Sequence, residues 1–370
     1  MPVILVLTLL TACSLPQVSA EDRMFLDLSL DLLGEGYLSA ETESSGEAVE
    51  PLAGLTYGLQ PGLFYGISAQ VNPDHPAQLY RLKFDQITNP QTITVEAIQP
   101  LKDESGQPLT TETLSLESLA FSPRKSVFIA AEDLQTDNAS ALVGEFDLNT
   151  GQLKTTVPLP PSYRAADDLE QPPQGIQPQS GFKSMTIGAE GFSAGGFDPF
   201  RLFIAPEAPL FQDVNPDQPT AIRMLHYLIA DRASFLVSEN WYPLDPPTET
   251  ESPYQLVEMI AVPESGNFIT LEQSQTATGY TARIYQIFTG NATDTSRIFS
   301  LQSNPSTVQP IQKKLLLDLA DLEIPLQPFD DMTLGPKLPN QSQSLILMSH
   351  DTKDTASSTQ FLLFNLKRSA

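Results

Sequence analysis

Short apolar runs recur along this chain, each followed by a turn and a second apolar run. A five-residue pattern opens each copy: two variable residues, then Leu, Met or Ile, then Thr or Ala, then a large apolar residue. It reads Ala53-Gly54-Leu55-Thr56-Tyr57, Glu117-Ser118-Leu119-Ala120-Phe121, Lys183-Ser184-Met185-Thr186-Ile187, Glu258-Met259-Ile260-Ala261-Val262 and Asp330-Asp331-Met332-Thr333-Leu334. The second runs are Leu63 to Ser68, Val127 to Glu132, Leu202 to Glu207, Phe268 to Glu272 and Leu345 to Asp351. A third run follows in most copies: Leu79 to Phe84, Leu142 to Asp147, Met224 to Ile229, Arg283 to Phe288 and Phe361 to Leu366. Each run is too short for a stable helix, rich in β-branched and aromatic residues, and bounded by turn formers, so each predicts a strand.

Strand-turn-strand units repeating every ~35–75 residues are the signature of blades that pack on their neighbours around a ring. The expected fold class is therefore all-β, a β-propeller of about five to seven blades, with a sandwich or barrel as the alternative. Five blades can be traced, and Phe235 to Pro243 is a candidate strand of a sixth. Lys313 to Leu322 reads as a short helix or a buried strand, since periodicity does not separate them. Ala40 to Pro51 reads as a flexible acidic lead-in, and Pro158 to Ser180 and Pro243 to Pro253 as surface excursions. Gly191 to Gly196 reads as a loop. The strand pattern resumes after each of these, so residues 21–370 form one domain.

Composition supports the β reading. The 370 residues include 32 prolines, and each proline removes a backbone donor and blocks a helix interior. Forty-five acidic residues against 20 Lys and Arg give a formal charge of −25, a field that repels nucleic acid and anionic membranes and attracts cations. The chain reads as having no Gly-x-Ser-x-Gly elbow, Walker loop or Cys–His pair, so serine-hydrolase, nucleotide-binding and thiol chemistry are not expected.

Residues 1–20 read as an export segment. Val3 to Leu10 is apolar but too short to span a bilayer, and Leu10-Thr11-Ala12-Cys13 has the form of a bacterial lipobox. Cys13 is the only cysteine, so an intrachain disulfide is excluded and lipidation is its expected fate. Cleavage after Val18-Ser19-Ala20 is the alternative, giving a secreted chain. The expected location is the periplasm or the outer membrane, with the membrane reached only through the lipid anchor. Asn138, Asn291 and Asn340 begin glycosylation sequons that have no use in such a setting.

In a propeller the inner strands deliver equivalent residues to a central channel. Here those positions are acidic: Glu117, Glu258 and Asp330 open copies of the pattern, and Glu132, Glu207, Glu272 and Asp351 end second strands. Glu239 ends the strand that begins at Phe235. Converging carboxylates repel one another and raise some pKa values, or bind a hard cation. Oxygen ligands without clustered thiols or imidazoles point to Ca²⁺ or another divalent cation. The alternative is that these acids occupy solvated strand ends. His75, His226 and His350 lack metal spacing and read as structural or surface residues.

From Glu117 onward the chain resembles the esterase-like phytase family. The resemblance is carried by Glu117-Ser118-Leu119-Ala120-Phe121-Ser122-Pro123-Arg124, Gly181-Phe182-Lys183-Ser184-Met185, Ala205-Pro206-Glu207, Val237-Ser238-Glu239 and Leu271-Glu272. Met332 to Pro339, Ser349-His350-Asp351 and Thr359 to Phe364 extend it. The resemblance implies a metal-dependent phosphoric-ester hydrolase acting on a phosphorylated small molecule. It implies catalytic roles for Glu117, Glu207, Glu239, Glu272, Asp330 and Asp351, with Glu117, Glu272, Asp330 and Asp351 as metal ligands. Several family acids are replaced. Lys183 stands where Gly-Phe-Glu-Ser is typical, Ala69 follows Ser68 where the family has Asp, and His350 interrupts Ser-Asp-Asp. Pro328-Phe329-Asp330-Asp331 replaces Asn-x-Glu-Gly, and Ser115-Leu116 replaces the Asp-Pro before Glu117. A degenerate propeller serving as an envelope interaction module is the second expectation.

Overall fold

The computed structural model describes residues 24–38, 43–44, 47–69, 71, 74–84, 93–110, 114–133, 140–166, 172–192, 198–215, 220–263, 266–302, 307–350 and 359–368. The export segment with Cys13, and Asp351, lie outside the described residues.

Strand β1 (Leu28–Leu38) is followed by a two-residue-strand hairpin, β2 (Glu43–Ser44) and β3 (Glu47–Ala48), within the stretch expected to be a flexible lead-in. The next sheet comprises β4 (Leu52–Tyr57), β5 (Leu63–Ser68), β6 (Gln78–Phe84) and β7 (Ile93–Pro100). Then come β8 (Leu114–Phe121), β9 (Ser126–Asp133), β10 (Ser140–Asp147) and β11 (Leu153–Thr156). The third sheet is β12 (Ser184–Ile187), β13 (Phe200–Ala205), β14 (Ala221–Ile229) and β15 (Ser234–Pro243). The fourth is β16 (Gln255–Ala261), β17 (Asn267–Thr276), β18 (Gly279–Phe288) and β19 (Gln312–Asp318). The fifth contains β20 (Phe329–Lys337), β21 (Gln343–His350) and β22 (Thr359–Arg368), and its fourth strand is β1, paired antiparallel with β22 from Leu28↔Arg368 to Leu38↔Thr359.

These are five antiparallel blades of a propeller, closed by a strand from the other end of the chain. Phe235 to Pro243 is no sixth blade; it is most of β15, the outer strand of the third. Lys313 to Leu322 resolves into β19 and a 3₁₀ turn at Leu319–Leu322.

Five apolar clusters fill the wedges between successive blades. Ile67, Leu79, Leu119 and Ile129 join the first two blades, and Phe128, Met185, Phe200 and Leu202 join the next two. Phe203, Met224, Met259 and Phe268 lie between the third and fourth, and Ile269, Leu271, Met332 and Leu347 between the fourth and fifth. Phe64, Leu82, Ile346 and Phe361 complete the circle. Blades packed on both faces explain why β9 and β22 read as nearly continuous apolar runs. The outer strands alternate or turn polar, as in β1 and β11, and each has a register shift against its partner. Such irregular, charged edges discourage pairing with other chains.

Around the axis, side chains of the inner strands bond to the backbone of the neighbouring blade. Thr56 Oγ1 accepts from Phe121 N at 3.1 Å and Thr186 Oγ1 from Ala261 N at 3.0 Å. Glu258 Oε1 accepts from Met185 N at 2.8 Å and Asp331 Oδ2 from Leu55 N at 2.5 Å. Each bond satisfies an inner-strand donor that has no ladder partner on the channel side. Thr56 and Thr186 of the sequence pattern are thus inter-blade staples, whereas the Thr333 hydroxyl donates to Leu334 O in its own strand.

The candidate channel-mouth site

Four of the five inner strands carry a β-bulge near their start, and the bulged residues are Ala53, Glu117, Val257 and Asp330. Lys183 occupies the equivalent position immediately before β12. A bulge leaves one residue out of the ladder and re-aims its side chain, a device common beside functional sites. Here it turns Glu117, Lys183 and Asp330 toward one end of the channel. The partner register brings a second ring, from the neighbouring strands, to the same end of the channel: Ala69, Glu132, Glu207, Gln273 and His350.

Register also corrects the repeat. The fourth copy of the pattern begins at Val257, one residue earlier than the sequence alignment had it. Glu258 therefore joins Gly54, Ser118, Ser184 and Asp331 in a layer below the mouth. That layer is tightly built: a Cβ on Gly54 would lie 2.8 Å from Leu119 Cδ2 and 3.1 Å from Asp331 Oδ2.

The centre of the mouth is an ammonium. Lys183 Nζ lies 3.6 Å from Glu117 Oε2, and both side chains are only 15% exposed. Burial alone would depress the Lys183 pKa, but the fields of Glu117, Asp330, Glu207 and Asp331 more than reverse this and raise it. Asp330 Oδ2 meets His350 Nδ1 at 2.5 Å, so His350 is a site residue rather than a surface one. Burial pushes the Glu207 carboxyl up to about 7, with Glu117, Glu132 and Asp330 adding to the rise and Lys183 opposing it. Glu132 is raised by burial, then lowered by the amides of Gln179 and Gly181, which donate to it at 2.8 and 2.9 Å. Glu258 and Asp331 are raised well above the carboxylate range, chiefly by burial.

Three of the sequence-nominated acids, Glu117, Glu207 and Asp330, thus come together; two others do not. Glu239 is buried in the third blade, where it accepts from Arg223 Nη1 at 2.7 Å, Tyr163 Oη at 3.0 Å and Thr295 Oγ1 at 3.0 Å. Arg223, 1% exposed, also donates to both oxygens of Asp213. Tyr163 belongs to the Pro158 to Ser180 segment, which Tyr163 and Ile176 therefore pin to the core. Glu272 points away from the mouth to Lys313 Nζ at 2.7 Å and the Tyr242 hydroxyl. Lys313 continues to Asp245 at 2.6 Å, and Asp245 to Arg283 at 3.2 Å, so the Pro243 to Pro253 excursion is anchored as well.

The expected divalent-cation site does not fit these residues as they stand. Among the described residues, no group of three or more His, Cys, Asp or Glu side chains is disposed to hold a metal ion. The acids that converge here do so on Lys183, and Glu132, Glu258 and Asp331 already accept backbone donors. Contrary to the expected absence of a Gly-x-Ser-x-Gly motif, Gly191-Phe192-Ser193-Ala194-Gly195 has that spacing, within the stretch expected to be a loop. A nucleophile elbow needs a strand-to-helix turn, whereas Ala189–Phe192 is a 3₁₀ turn and residues 193–197 lie outside the described residues.

A family model described as "Phytase-like: Esterase-like activity of phytase" matches residues 47–351. No curated protein matches the sequence. Among solved structures, the chain is similar to the catalytic domain of a Coprinopsis cinerea alpha-L-arabinofuranosidase, at 8% identity and TM-score 0.43 over 91% of this chain and 97% of that one. It is also similar to an endo-arabinase from Bacteroides thetaiotaomicron, at 9% identity and TM-score 0.37 over 81% of this chain and 89% of that one. At these scores neither lends this chain a function.

Proposed function

We propose, from the premise that this chain belongs to the phytase-like family, that its channel mouth hydrolyses a phosphoric ester, with Glu207 as proton acceptor and Lys183 as fixed positive charge. The observation that supports this reading is a carboxyl held near neutrality, at about 7, beside a buried ammonium. A general base works best when its pKa lies close to the operating pH. In the step, Glu207 takes a proton from water as the water oxygen bonds to phosphorus and the phosphorus–alkoxide bond breaks. The leaving alkoxide recovers that proton from Glu207 and departs as an alcohol. Lys183 offsets charge on the phosphoryl oxygens, which the acidic chain otherwise repels. The export segment makes the bacterial envelope the expected place of action.

The test is turnover of p-nitrophenyl phosphate, with p-nitrophenyl acetate beside it, in EDTA and in Ca²⁺. Activity in EDTA that rises through about pH 7 and disappears in a folded Glu207→Gln variant is the expected result. No turnover of either ester under any of these conditions overturns the reading.

A second reading has its own observation. Glu132, Glu258 and Asp331 are engaged by backbone amides, and Glu117 and Asp330 face Lys183 and His350, so the acids already serve the scaffold. The propeller is then a degenerate interaction module of the envelope, inactive in the same assays while fully folded.

A further inference from the structure

At the other end of the channel lies a cavity of about 420 Å³ that the proposed chemistry does not use. Inner-strand residues of all five blades line it, downstream of the bulges that set the charged mouth. Its walls are apolar, with Leu55, Leu119, Met185, Ile260 and Met332 among them, and Phe121 and Phe192 stack at one side, centroids 6.5 Å apart and planes 12° from parallel.

Its floor is different. Glu258 and Asp331 contribute to the lining, each only 1% exposed. They share a layer with Ser118, whose fully buried hydroxyl has no hydrogen-bond partner, and with Ser184, which lies beside the Glu258 carboxyl. Burial keeps the two carboxyl groups toward their neutral form, so the floor can exchange hydrogen bonds without presenting a counter-charge. The volume falls in the range of small-molecule sites, which combine apolar walls with a few convergent polar groups.

We propose that this cavity is a second ligand site, for an uncharged small molecule with an apolar body and one hydrogen-bonding end directed at Glu258 and Asp331. Lys337 also lines the cavity, so it is the net charge of −25, and not the lining, that disfavours anions. The site is separate from the charged mouth, so its failure leaves the hydrolase reading untouched, and the reverse holds too.

The probe is N-phenyl-1-naphthylamine, an uncharged two-ring amine with a single N–H, titrated by fluorescence into the full chain. Saturable binding at one probe per chain is expected. 8-Anilinonaphthalene-1-sulfonate, the same body carrying a negative charge, should bind at least tenfold more weakly. Leu119→Trp fills the cavity and should weaken binding tenfold or more. Leu334→Trp, at a half-buried position on the lining, is the second test should the first variant not fold, and should act in the same direction. Arg232→Ala, at an exposed position outside the lining, should leave binding within twofold. The proposal fails if the neutral probe does not saturate, if the sulfonate binds equally well, or if a folded cavity-filling variant binds as the wild type does.

Discussion

Replacing Lys183 with glutamate tests the central feature of the mouth. The Lys183–Glu117 pair is separated by 3.6 Å, which at an effective dielectric near 20 corresponds to about 4.6 kcal/mol of attraction. Relaxation and residual solvent reduce this; a third of it, ~1.5 kcal/mol, already corresponds to about tenfold in affinity for a competing cation. Lys183→Glu removes that competitor and supplies another oxygen ligand among Glu117, Glu207 and Asp330. The variant should melt below wild type in EDTA, because like charges then face one another without compensation, and Ca²⁺ should restore its Tm. Calorimetric titration should give Ca²⁺ affinity at least tenfold above that of the wild type. Lys183→Met, which removes the charge without adding a ligand, should fall between them. Equal Ca²⁺ affinity in wild type and Lys183→Glu, or a Lys183→Glu melting point indifferent to Ca²⁺, would refute the idea that Lys183 stands in for a cation.

The remaining predictions address other parts of the molecule. Glu207 has a folded pKa raised from 4.5 to about 7, so the folded state holds the extra proton between those values and stability falls as pH rises through that window. Glu132, Glu258 and Asp331 act with the same sign; melting curves from pH 4 to 8.5 should show the decline, and Glu207→Gln should flatten part of it. Arg223→Ala strands Asp213 and Glu239 as buried unpaired charges and should cost about 3–5 kcal/mol in urea unfolding; a loss below 1 kcal/mol means that solvent or relaxation compensates them. Deleting residues 1–38 removes β1, exposes the β22 edge and should abolish cooperative melting; a monomeric truncated chain with wild-type Tm refutes ring closure as a stabilising element. Mass spectrometry of the exported protein should find an acylated Cys13 at the mature N-terminus, and a start at Glu21 would instead support simple secretion.

Much of the propeller was legible without coordinates. The second and third strands of every blade fall where the apolar runs lie, because a strand packed on both faces must be apolar throughout. The acidic mouth was legible in outline, through Glu117, Glu207 and Asp330. What the chain pattern cannot carry is register. Side chains alternate with period two, so a one-residue slip sends a residue to the opposite face. Sequence aligned Glu258 with Glu117 and Asp330; the bulge at Val257 moves it below the mouth, where it bonds to Met185 N. Glu272 lies one position before the equivalent of Glu132 and so turns to Lys313 instead of the channel. His350, read from sequence as a structural or surface residue, falls at the ring position of Glu132 and Glu207. Closure was equally hidden, because the pairing of Leu28 with Arg368 joins residues from opposite ends of the chain and leaves no local trace. Local pattern determines where strands form; the bulges and the long-range pairing decide which carboxylates meet, and that they meet around Lys183.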